Sequence, residues 1–162
     1  MQRIMIISDT HSKCYGFNAA ILKEGNIDML IHCGDVENDE DYIRTSVDCP
    51  VCMVAGNNDF FSGLNMEVQI EIGGHNVLVT HGHYYRVSLG TDMIKEEARA
   101  RGCDIVMFGH IHRPVLEIED DITVINPGSL TYPRQSDHKR TYMMMYVDDN
   151  NRCTFEIKSI DD

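Results

Sequence analysis

The sequence predicts an α/β protein, a four-layer α/β/β/α sandwich in which two facing mixed sheets carry helices on their outer faces. Three observations point there. The first half alternates short apolar runs with helix-period segments, the βαβ pattern of a parallel sheet buried on both sides. The second half changes to hairpins, with polar and apolar residues alternating around Gly and Asp turns. No repeat, low-complexity tract or linker interrupts the 162 residues, which suffice for one domain to bury most of its apolar surface. The expected organisation is a single domain over 1–162.

Taken in order, a strand is expected at 3–7 and a helix from about 16 to 24, where Phe17, Ala20 and Ile21 recur at helical spacing. A strand at 29–33, a short acidic helix near 39–44 and a strand at 51–54 complete the first half. Residues 67–72 alternate polar and apolar, Gly73-Gly74 turns, and 75–80 returns. A helix follows over 91–100, with Thr91 or Asp92 as its cap and Gly102 at its stop. Strand 105–108 comes next, and the remainder reads as antiparallel: 114–119 with 122–126, and 141–147 with 153–158.

Composition excludes several classes. Fourteen Lys and Arg face 26 Asp and Glu, a net charge of −12, so generic nucleic-acid binding and attraction to anionic membranes are not expected. The N-terminal apolar run is too short for a signal peptide, no stretch has the length of a membrane span, and a cytoplasmic protein is expected. Six scattered cysteines then read as free thiols. Cys49-Pro50-Val51-Cys52 is formally a CxxC, but it runs into a strand, no helix begins after its first Cys, and no second pair completes a zinc site.

The chemistry lies where the strands end. Asp9 and His11 follow the first strand two residues apart, so on extended backbone their side chains leave from the same face. Gly34-Asp35, Gly56-Asn57-Asn58-Asp59, His81-Gly82-His83 and Gly109-His110-Ile111-His112 follow four later strands. Any one of these is an ordinary polar turn. Five of them at the same kind of position, where open α/β sheets bind ligands, make a cluster of oxygen and imidazole donors suited to metal.

The ordered set Asp9-x-His11, Gly34-Asp35, Gly56-Asn57-Asn58-Asp59, His81-Gly82-His83 and Gly109-His110-x-His112 resembles the calcineurin-like metallophosphoesterase superfamily. Asn126-Pro127-Gly128-Ser129 narrows the resemblance to the small YfcE-like phosphodiesterases and the related non-catalytic retromer subunit. The resemblance implies that Asp9, His11, Asp35 and His112 surround one divalent ion, and Asp35, Asn57, His81 and His110 a second, with Asp35 bridging. Two such ions outweigh the two carboxylates and one bridging hydroxide, leaving a centre that attracts a phosphodiester. Mn²⁺ is the favoured ion by resemblance, and the donor set also suits Ni²⁺, Fe²⁺, Co²⁺ or Zn²⁺ better than Ca²⁺.

The implied activity is in-line attack on a small phosphodiester by the bridging hydroxide. The superfamily also supports phosphomonoester or nucleotide hydrolysis, and a protein-binding module without catalysis is a third class. Three further residues are candidates for catalysis. His83 can touch substrate or orient His81, and Arg134 can reach phosphate. Asn58 stands where many metallophosphoesterases carry a His that protonates the leaving group, so strongly basic leaving groups are expected to be poor. The residues leave oligomeric state open, and a homo-oligomer is compatible with them.

Overall fold

Ten strands and three α-helices follow one another in the computed structural model, which describes all 162 residues. In order they are β1 (Gln2–Ile7), α1 (Tyr15–Glu24), β2 (Met29–His32), α2 (Glu40–Thr45), β3 (Val51–Met53), β4 (Glu67–Ile72), β5 (His75–Thr80), α3 (Asp92–Ala100), β6 (Ile105–Met107), β7 (Pro114–Ile118), β8 (Thr123–Pro127), β9 (Thr141–Val147) and β10 (Cys153–Ser159). Two five-stranded mixed sheets result, ordered β10-β9-β1-β2-β3 and β4-β5-β6-β8-β7.

The packing follows the period of the strands. On β1, Ile4 and Ile6 enter the core between the sheets, with Ile31 of β2, Val77 and Val79 of β5 and Met107 of β6. Met5 and Ile7, one residue out of phase, face a second core with Phe17 and Ala20 of α1 and Ile43 of α2. The second sheet does the same: Leu78 and Val106 turn outward against Ile94 and Ala98 of α3. Three apolar layers between four layers of structure account for strands that are apolar on both faces. Each fully buried aliphatic side chain contributes about 1.5–3 kcal/mol.

Three details go beyond or against the sequence reading. β9 pairs with β10 as expected, and on its other side it joins the first sheet antiparallel to β1, matching Gln2 to Val147 and Ile6 to Met143, a partner the sequence left open. β8 runs parallel to β6 as well as antiparallel to β7. Thr91 sits at the cap position of α3, but its hydroxyl donates to Glu117 at 2.9 Å instead of capping the helix. The CxxC cysteines are unpaired, and Cys49 packs on the helix side of the first sheet while Cys52 packs between the sheets. Burial pushes the Cys52 thiol up to about 11, which suits neither redox nor metal chemistry.

Candidate metal centre

The carboxyl ends of β1, β2, β3, β5 and β6 lie along one edge of the sandwich, and the loops leaving them bring the seven candidate ligands together. Asp9, His11 and His112 offer donor atoms within 4.8 Å of one another, and Asp9, Asp35 and His81 form a second such group. The Asp35 Oδ2 lies between the halves, 3.7 Å from His11 Nε2 and 3.4 Å from His81 Nε2. Asn57 and His110 join the second half: Asn57 Oδ1 is 3.0 Å from His81 Nε2 and 3.1 Å from His110 Nδ1.

The backbone bends unusually to do this. Asp9, His11, Asp35, His110 and His112 all have φ between 50° and 71°, the left-handed region that Asp, Asn and His tolerate better than other side chains. The neighbouring glycines serve two purposes. Gly34 supplies positive φ of its own, whereas Gly56 and Gly109 provide clearance. A Cβ on Gly56 would overlap the Asp35 carboxylate, and one on Gly109 would overlap Ser8 Oγ.

Hydrogen bonds fix which ring nitrogen each histidine presents. His11 Nδ1 donates to Glu37 at 3.0 Å, His81 Nδ1 to the Cys33 carbonyl at 2.7 Å, and His112 Nδ1 to the Tyr132 carbonyl at 2.7 Å. In the neutral tautomer each then turns a bare Nε2 inward. The Nε2 atoms of His11 and His112 are 3.1 Å apart, and His112 Nε2 is 3.2 Å from Asp9 Oδ1. Asp9 is fully buried and its Oδ1 has no hydrogen-bond partner. Lone pairs thus face one another in a largely buried site, an arrangement satisfied by a cation: a proton in the free protein or a metal ion.

The charges agree. Burial raises the Asp9 carboxyl, but His112 and His81 outweigh it and hold it below its ordinary value. Burial likewise opposes ionisation of Asp35, yet His81 and the amides of Asn58 keep it well below the usual carboxylate range. His81 moves the other way: burial lowers it, and Asp35 with Asp9 more than reverses this. Both carboxylates are therefore ionised at neutral pH, ready for cations.

The other candidates fall at the rim. Asn58 is exposed, and its side-chain and backbone N–H groups donate to the two Asp35 oxygens at 2.9 Å each. His83 opens a 3-10 turn, His83–Tyr85, with its ring centroid 5.3 Å from that of His81. Its Nδ1 is buried without a partner, and burial beside His81 and His110 lowers its pKa. Arg134 is exposed, its backbone N–H donates to the His112 carbonyl at 2.9 Å, and no side-chain contact ties it to the cluster.

Several supporting residues had no assigned role in the sequence. Asp59 accepts the N–H groups of Asp35, Glu37 and Gly56 at 2.7–2.8 Å, tying the loops after β2 and β3. Asn126 donates to the Gly109 carbonyl just before His110, at 2.8 Å, and accepts from Gly128 N–H. Ser129 Oγ donates to the Asp9 carbonyl at 2.8 Å and accepts from Tyr132 N–H. The signal for the last two was the Asn-Pro-Gly-Ser turn itself, placed after another strand.

Residues 2–150 match the family description "Calcineurin-like phosphoesterase superfamily domain". Among curated relatives, the probable metallophosphoesterase YsnB of Bacillus subtilis (strain 168) is 32% identical over 132 residues, covering 81% of this chain and 76% of that protein. Phosphodiesterase MJ0936 of Methanocaldococcus jannaschii is 28% identical over 148 residues, covering 78% and 82%. Among solved structures, wild-type Vps29 of Entamoeba histolytica complexed with Zn²⁺ superposes with a TM-score of 0.79 at 20% identity, covering 98% of this chain and 99% of that one.

Proposed function

The chain belongs to the calcineurin-like phosphoesterase superfamily, and from that membership we propose a metal-dependent phosphodiesterase acting as a single cytoplasmic domain. The observation that carries the proposal is the convergence of His11 Nε2, His112 Nε2 and the unpartnered Asp9 Oδ1, 3.1–3.8 Å from one another. Asp9, His11, Asp35 and His112 would hold one ion and Asp35, Asn57, His81 and His110 the other, with Asp35 shared. Bound there, two divalent ions, Mn²⁺ favoured over Ni²⁺, Fe²⁺, Co²⁺ or Zn²⁺, supply Lewis acidity at the phosphoryl oxygens and an ionised water for in-line attack on phosphorus.

The chain's own part is preorganisation. Glu37, Cys33 and Tyr132 hold three imidazoles in one tautomer, and Asn58 holds the Asp35 carboxylate. His83, whose pKa is lowered by burial beside His81 and His110, would offer substrate a hydrogen-bonding nitrogen from a ring centred 5.3 Å from that of His81. Asn58 supplies no proton, so departing groups must leave without a side-chain acid at that position. The phosphodiesterase named among the relatives supports the choice of a diester over a monoester.

A second reading, a binding module without turnover, is favoured by the likeness to Vps29. That protein was solved with Zn²⁺, so metal binding alone does not separate the two readings; turnover does. The test is hydrolysis of bis-p-nitrophenyl phosphate and p-nitrophenyl phosphate by chelated protein, with each divalent ion added back. Mn²⁺-restored activity favouring the diester is expected. Preference for the monoester would select phosphomonoesterase or nucleotide hydrolase, and no turnover with any ion would select the binding module.

A further inference from the structure

Beside the metal centre lies a separate cavity of about 180 Å³. Lys13, Tyr15, Tyr132 and Arg140 wall it, over Gly16 and Leu130. Tyr132 is the wall it shares with the centre: its ring centroid is 5.6 Å from that of His11, and its carbonyl holds His112. Lys13 Nζ stands 4.8 Å above the Tyr132 ring, and the Arg140 guanidinium 5.7 Å from the Tyr15 ring. Thr131 fastens this side to the loop that carries Asp9 and His11, donating to the Thr10 carbonyl at 2.9 Å.

Its charge sets it apart. In a chain of net charge −12, this cavity is lined by two cations and no carboxylate, whereas four other cavities each include at least one Asp or Glu. Arg140 is braced from behind by Asp161, but Lys13 has no carboxylate partner. The volume is below the roughly 300–1,000 Å³ of pockets that take whole ligands, so it suits one group of a larger molecule.

We propose that this cavity holds a second anionic group of the substrate, a phosphate one linkage away from the scissile diester, while the metal centre holds the diester itself. The substrate class is then a phosphodiester bearing a further phosphate on one arm, such as a phosphorylated nucleotide ester. This inference rests on the phosphodiesterase reading above for its kinetic test, but not for its binding test.

Two substrates with the same leaving group isolate the effect: thymidine 5′-(p-nitrophenyl phosphate) and its 3′-phosphorylated counterpart, assayed with the Mn²⁺-loaded protein. One or two charge-assisted hydrogen bonds to the extra phosphate should raise kcat/KM about tenfold or more for the second substrate. The ratio should fall toward one in Lys13→Gln and further in Lys13→Glu. Equal kcat/KM for the two substrates in the wild type, or a ratio unchanged by both variants, would overturn the proposal. Binding of thymidine 3′,5′-bisphosphate and unphosphorylated thymidine to the chelated full chain, measured by calorimetry, reads the cavity without turnover. Tighter binding of the bisphosphate that Lys13→Gln abolishes supports the subsite even in a protein that hydrolyses neither diester; equal binding of the two sinks it.

Discussion

Loading the centre with Mn²⁺ should stabilise the fold by an amount that depends on pH, because protons and metal compete for the same lone pairs. At a free ion concentration 100 times its Kd, binding to the folded state alone is worth about 2.7 kcal/mol. For a chain of this length that raises Tm by about 5–11 °C. His81 provides the competitor. Burial lowers its affinity for protons, but Asp35 and Asp9 prevail and lift it above its ordinary 6.5. Below that raised value the ion must displace a proton from His81, so its Kd rises about tenfold per pH unit, or about 1.4 kcal/mol. At fixed Mn²⁺ the Tm increment should therefore shrink by about 3–5 °C for each unit of acidification, and level off above the His81 value. Differential scanning calorimetry of chelated and loaded protein between pH 6 and pH 8.5 measures this directly. Asp9→Asn, which removes the buried charge at the meeting point, should abolish most of the increment. An increment that is the same at both ends of the range, or survives intact in Asp9→Asn, would refute a cation held by these lone pairs.

Asp35→Ala should lose both ions by elemental analysis, whereas His112→Ala should mainly empty the site around Asp9 and His11; two ions still bound in Asp35→Ala would mean that Asp35 does not bridge. Asn126→Leu strands the buried Gly128 N–H, at about 1–3 kcal/mol, and leaves the Gly109 carbonyl with the Ile111 N–H alone, so it should also weaken metal retention through His110. The readouts are denaturant midpoint and metal content, and an unaffected metal content would confine Asn126 to stability. His75, at the opposite end of the sandwich, donates to Asp104 at 2.6 Å and to the Asn151 carbonyl at 2.8 Å, so both nitrogens need a proton. Burial lowers its pKa, but the Asn151 carbonyl and Asp104 prevail and raise it; its stabilisation is complete below 6.5 and fades as pH rises through the higher folded value. His75→Asn should flatten this part of the stability profile measured by urea unfolding, and an identical slope would exclude the imidazolium.

The legible parts of the fold were those written in local pattern. The β4–β5 hairpin could be placed to the residue because Glu67 to Ile72 alternates and Gly73-Gly74 admits the turn. The seven candidate ligands were visible because each follows an apolar run that had to end at the sheet's edge. What could not be read is what depends on meetings across the chain. Nothing local says that Thr141 to Val147 pairs with β1 and not with the strands before it, since its alternation serves either sheet. Ser129 reaches the carbonyl of Asp9 across 120 residues, and Glu37 reaches His11 across 26. Thr91 had the sequence of a cap, yet Glu117 competes for its hydroxyl. Tyr132 works through its carbonyl as well as its ring, and a carbonyl carries no sequence signal.

The left-handed backbone at Asp9, His11, Asp35, His110 and His112 sets fold and chemistry against each other at the same residues. Each such bend costs a side-chain-bearing residue about 1 kcal/mol or more that glycine avoids. Five together are a sizeable fraction of the roughly 5–15 kcal/mol by which a domain holds its native state. A descendant that gave up metal would gain stability by drifting to glycine at these positions, most easily at half-exposed His110, where little packing is lost. Glycine there would mark a chain that kept the sandwich as a scaffold, and Asp or His a chain whose backbone is still bent for work.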